Sequence, residues 1–237
     1  MDNTSQKIKT ELFFLLRKLG GHRLPLWIKT PVGDSLIKEE GKSPFYEERR
    51  HTVAKLLDMT KNVKGDAVEC GVLEGYTTII MAKKLKEMDT PEKILYGIDY
   101  FDTLPYDDHD FPFERKGIIP KKFADNKYKY MPAIDVVQER IDNEKLDNVK
   151  LIKGLVEDVL PTMKDSKFSF VNVDVNSYKA TKFCLEFFKD RMEKGGIIFL
   201  DDYNQVAWQG ATLAADEILG KDKVIPLKHV QAYWIKN

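Results

Sequence analysis

A chain of 237 residues with 43% hydrophobic and 32% charged side chains can bury the core of one large α/β domain. Its 38 Lys and Arg balance 38 Asp and Glu, which argues against a protein whose main partner is a nucleic-acid backbone. Cys70 and Cys184 sit in apolar surroundings and suggest no disulfide framework or zinc site, no apolar run is long enough to span a bilayer, and the polar start lacks a signal-peptide pattern. A cytoplasmic protein is expected.

In chain order, residues 5–19 carry Ile8, Leu12, Leu15, Leu16 and Leu19 near helical spacing and predict an amphipathic helix, ended by Gly20 and Gly21. Residues 22–45, with Pro25, Pro31 and Pro44, read as an irregular connector. Residues 1–46 are therefore expected to form an extension and 47–237 the main domain. A helix over about 45–61 is followed by a strand at 67–70, a helix at 75–88 opened by Gly75, and a strand from Ile94 that ends at Asp99. After a long polar loop come a helix at 132–143, a strand at 149–152 and a short helix near 157–163. A strand ending at Asp174 precedes a helix at 177–193 that Gly195 and Gly196 would stop. The strand 197–200 ends at Asp201 and Asp202; a helix at 208–219 and two short strands, near 223–226 and 230–235, resembling a hairpin, complete the chain. Regular strand–helix alternation means a mostly parallel sheet covered on both faces.

Strands that end in carboxylates (Glu69, Asp99, Asp174, Asp201, Asp202) mark a site, because ligands of open parallel sheets bind beyond the strands' carboxyl ends. The turn Glu69-x-Gly71-x-x-x-Gly75 leads from strand to helix, and its glycines allow a sharp bend and close approach of a ligand. A carboxylate just before the loop would repel a pyrophosphate but suits a cationic ligand, such as the ammonium of a methionine moiety; Tyr76 and Thr77 open the helix beside it. Asp99 is placed to accept two ribose hydroxyls. Asp174, Asp201 and Asp202 can converge where their strands end, and three like charges together call for a cation; all-oxygen ligands select a hard ion such as Mg²⁺. The alternatives at each position are a plain glycine hinge, a loop-capping aspartate at Asp99 and a helix cap at Asp202. The loop from Tyr100 to Tyr130 runs from acidic to basic, and Lys121 and Lys122 could clamp an anionic part of an acceptor or lie on a solvated loop.

The stretches 65–72, 99–105, 154–161, 174–181 and 195–203 together resemble the macrocin O-methyltransferase family, which methylates sugar hydroxyls on natural products. The resemblance runs from about residue 47 to the C-terminus. It implies a Rossmann-like class I methyltransferase, with a seven-stranded sheet whose last strand is antiparallel, and S-adenosylmethionine held at Glu69, Gly71, Gly75, Tyr76, Thr77, Asp99 and Asp174. It also implies adenine near Glu157 or Asp158, and Mg²⁺ on Asp174, Asp201 and Asp202 holding the acceptor, a sugar, nucleotide sugar or glycoside. A homo-oligomer is expected by the same analogy. The family has Asp-Gly-Asp where this chain has Asp174-Val175-Asn176, and its second aspartate is the general base, a role Asn176 cannot fill at neutral pH. Metal coordination alone, a substitute base at His109 or His229, or a different acceptor or a binding-only role each accounts for the change.

Overall fold

The computed structural model describes residues 44–90, 92–102, 132–205 and 209–237. The expected helix at 5–19, residues 22–43 of the connector, His109 and the basic half of the long loop lie outside these residues; Pro44, expected in the connector, opens a helix instead. Among them are helices α1 (Pro44–Asp58), α2 (Tyr76–Glu87), α3 (Ile134–Asn143), α4 (Val156–Val159), α5 (Tyr178–Lys189) and α6 (Gln209–Ala215). The strands are β1 (Asp66–Cys70), β2 (Leu95–Asp99), β3 (Val149–Lys153), β4 (Phe168–Val173), β5 (Met192–Leu200), β6 (Ile225–Pro226) and β7 (Ala232–Ile235).

They form one seven-stranded sheet in the order β3-β2-β1-β4-β5-β7-β6. β1 to β5 are parallel, and β7 runs antiparallel to both β5 and β6, as the terminal hairpin pattern predicts. Side-chain alternation along each strand splits the core in two. Val68, Cys70, Ile98, Val171, Val173, Ile198 and Leu200 face a layer built on α4, α5 and α6. Ala67, Leu95, Phe170, Ile197 and Phe199 face Val53 and Leu57 of α1, Met81 and Leu85 of α2, and Val137 and Ile141 of α3. Among the described residues no helix is long and apolar enough to cross a membrane.

Two expectations change. α5 ends at Lys189 rather than 193, and Gly195 and Gly196 do not stop a helix; they lie inside β5, which begins at Met192. Phe168 pairs with Met192 but Phe170 with Ile197, so β5 bulges across Gly195, whose φ is +82°. The helix expected at 208–219 is α6 followed by a π-helical turn over Asp216–Gly220.

Candidate active site

One rung beyond the sheet gathers the predicted loop residues. Ile98, Cys70, Val173 and Leu200 stand side by side in register on β2, β1, β4 and β5. The next residue of each strand is therefore Asp99, Gly71, Asp174 or Asp201. Backbone bonds extend the ladder through this rung: Gly71 N–H donates to Ile98 O at 2.9 Å, Asp174 N–H to Cys70 O at 2.8 Å and Asp201 N–H to Val173 O at 3.2 Å. At Gly71, with φ +94°, an added Cβ would stand 2.0 Å from the Asp174 carbonyl oxygen, so only glycine lets β1 and β4 approach this closely. Gly75, at φ +80°, starts α2 in a left-handed conformation.

Asp99 grips this turn. Its Oδ2 accepts the N–H groups of Val72 and Leu73, each at 2.8 Å. Its Oδ1 receives a longer bond, 3.3 Å, from Phe101 N–H and keeps lone-pair capacity for a hydroxyl donor. Across β3, the Gly154 N–H donates to Asp99 O at 2.9 Å and leads into α4. There Glu157 Oε2 is buried without a hydrogen-bond partner, while Asp158 is exposed. A buried acceptor with no donor is costly unless a ligand supplies one.

Glu69 does not stand at the strand's end. It is the penultimate residue of β1, on the face toward α2, and is 1% exposed. Its Oε1 accepts from Asn172 Nδ2 at 3.0 Å and its Oε2 from the Thr78 hydroxyl. Burial pushes its carboxyl well up, against those two hydrogen bonds. The side chain thus braces β1, β4 and α2 beneath the glycine turn. The Tyr76 ring lies between two guanidinium groups, 5.2 Å from Arg50 and 5.4 Å from Arg140, and Arg140 also donates to Glu74 O at 2.8 Å. Thr77 is half-buried in the first turn of α2.

The carboxylates of the right half meet an arginine that no sequence motif announces. Arg49 of α1, 7% exposed, donates from Nη2 to Asp201 Oδ2 and, at 2.7 Å, to Asp201 O; it lies 3.8 Å from Asp202 Oδ1. Gln231 Nε2 donates to Asp201 Oδ1 at 2.6 Å. Burial opposes the charge on Arg49, but Asp201, then Asp202 and Asp174, outweigh it and hold the guanidinium protonated. The three aspartates expected to ligate Mg²⁺ do not form such a set: among the described residues no three His, Cys, Asp or Glu side chains gather as a metal group. The reason is physical, since both carboxylate oxygens of Asp201 face N–H donors and a buried positive charge already stands there.

Asn176 has a left-handed backbone, φ +61°, directly before Ser177, whose hydroxyl caps α5 by accepting from Ala180 N–H at 3.1 Å. His229 sits in the β6–β7 turn, where it and Val230 both have positive φ, and its Nε2 lies 2.8 Å from Glu48 Oε2 of α1. Arg49, Glu48, Asn172 and Gln231 escape a reading by motif, because each acquires its role from a partner at least 30 positions away in sequence.

The reversed β7 beside five parallel strands, with a glycine turn and acids at the strand ends, gives a Rossmann-like sheet, the fold of class I methyltransferases. Residues 47–234 match the macrocin O-methyltransferase (TylF) family, and the chain belongs to it. Over 185 residues it is 26% identical to the mycinamicin III 3''-O-methyltransferase of Micromonospora griseorubida, covering 74% of this chain and 70% of that protein. The fold is similar to that of the O-methyltransferase NovP, with a TM-score of 0.69 at 23% identity over 80% of each chain. It is similar too to CalS11, a TDP-rhamnose 3'-O-methyltransferase of calicheamicin biosynthesis, with a TM-score of 0.62 at 17% identity over 99% of this chain and 96% of that one.

Proposed function

We propose that the protein transfers the methyl group of S-adenosylmethionine to a hydroxyl of a sugar, nucleotide sugar or glycoside. The observation that carries this is the rung of Asp99, Gly71, Asp174 and Asp201, which brings the glycine turn directly beside the strand-end acids. The fit of the cofactor rests on two features of this chain. Gly71 and Gly75, both at positive φ, let the turn bend tightly against Asp174 and Val137, and the orphaned Glu157 Oε2 suits the exocyclic amine of adenine.

S-adenosylmethionine supplies an electrophilic methyl group on a sulfonium. Gly71, Gly75, Tyr76 and Thr77 would line its methionine and ribose portions, Asp99 Oδ1 a ribose hydroxyl, and Glu157 with Asp158 the adenine. The chain's work is alignment and exclusion of water, because a well-oriented acceptor needs little further activation. We assign proton removal from the acceptor hydroxyl to His229, as the substitute for a base at Asn176; Glu48 Oε2, 2.8 Å from its Nε2, fixes the orientation of the ring. Magnesium enters no step, since Arg49 stands at the carboxylates that would bind it.

A second reading, a cofactor-binding protein with no transferase turnover, is favoured by Asn176 alone. Incubation of the full chain with methyl-labelled S-adenosylmethionine and a panel of nucleotide sugars and rhamnosides decides between them. Labelled sugar is the expected product. Cofactor binding without any labelled product would favour the second reading, and absence of binding by calorimetry would end both.

A further inference from the structure

We propose that the Arg49 guanidinium is the resident cation of the strand-end carboxylates, and that this site works without a divalent metal ion. Asp174, Asp201 and Asp202 arrive on two adjacent strands, and their mutual repulsion needs a positive charge. Arg49 meets that need in a form no metal shares: a guanidinium on α1 whose Nη2 donates to both the carboxylate and the carbonyl oxygen of Asp201 and lies 3.8 Å from Asp202 Oδ1. Gln231 completes the arrangement from β7's side with an N–H donor at 2.6 Å on the other carboxylate oxygen. A dication entering here would face a buried unit charge and two oxygens already bonded to donors, both unfavourable at short range in a poorly screened site. Asp201, with Asp202 beside it, therefore serves as an anchor for α1. Arg49 acts through them as a positioning residue that holds the acceptor side neutral enough to admit a polyhydroxylated ligand.

Mn²⁺ is the probe, followed by paramagnetic resonance and calorimetry on the full chain, in the wild type, Arg49→Met and Arg49→Lys, with melting curves to confirm that each variant is folded. The wild type should show no saturable Mn²⁺ binding at millimolar ion, and its labelled-methyl transfer should not respond to EDTA. Arg49→Met, which uncovers the carboxylates, should gain a Mn²⁺ site tighter by about tenfold or more, the scale on which groups beside a metal site alter its affinity; Arg49→Lys, which keeps the charge, should not. One tightly bound Mn²⁺ per wild-type chain, or transfer abolished by EDTA and restored by Mg²⁺, would overturn the proposal. A folded Arg49→Met that still ignores Mn²⁺ would remove Arg49 from the explanation. The EDTA arm rests on the methyl-transfer reading, whereas the Mn²⁺ arm does not, so failure of one is told apart from failure of the other.

Discussion

Glu69 and Asn172 stand opposite each other in register on β1 and β4, so an acid and an amide share a dry face of the sheet beneath the cofactor turn. Burial, opposed by hydrogen bonds from Thr78 and Asn172, pushes the Glu69 carboxyl from 4.5 up to about 8. The folded protein thus keeps a proton that the unfolded chain has released. The sign follows: stability from this group is complete below about pH 4.5, is lost as pH rises toward 8, and stays lost above it. Glu69→Gln removes the titration at small structural expense, because its amide can donate to Asn172 Oδ1, a buried oxygen that lacks a partner. Melting curves from pH 5 to 9 should therefore show the variant gaining on the wild type as pH rises, by at least about 1.4 kcal/mol, the equivalent of one pKa unit. Parallel curves across that range would mean that Glu69 titrates normally.

At the scale of elements, two glycines with similar backbone and different surroundings separate conformational strain from crowding. Gly71 and Gly195 have φ of +94° and +82°, yet an added Cβ meets the Asp174 carbonyl oxygen at 2.0 Å in the first case and only Val63 Cγ2 at 3.4 Å in the second. Gly195→Ala should lose about 1–2 kcal/mol, the left-handed penalty alone. Gly71→Ala adds a clash with backbone that cannot rotate away, about 1–3 kcal/mol more, and should also abolish cofactor binding. Chemical denaturation of the two variants measures the difference, and equal losses would refute the close approach of β1 and β4. Gly71 is legible from sequence because a strand-to-helix turn with glycines has a local signature. Gly195 is not: two glycines after an apolar helix look like a terminator, and only pairing with β4 reveals a bulge, which depends on register between strands.

At the scale of the whole molecule, the same division holds. The strands and the acids at Asp99, Asp174 and Asp201 were readable because each of these three strands carries its own hydrophobic run and a carboxylate at or just past its end. The ties that close the site were not, since Arg49 meets Asp201 across 152 positions and Glu48 meets His229 across 181. These ties make α1 part of the proposed acceptor side, while the proposed cofactor side is assembled from β1, β2 and α4. A ligand of the cofactor side should therefore stabilise the folded domain as a unit, by mass action. S-adenosylhomocysteine, which lacks the reactive methyl, at a hundred times its dissociation constant should add about 2.7 kcal/mol, which for a domain of this size raises the melting temperature by about 5–10 °C. Glu157→Leu should lose most of that increment at the same ligand concentration, because it leaves the amine without an acceptor. Its own melting temperature without ligand should not fall, since Glu157 Oε2 has no protein partner to lose. If the ligand stabilises Glu157→Leu as strongly as the wild type, adenine lies elsewhere and the orphaned oxygen has another use.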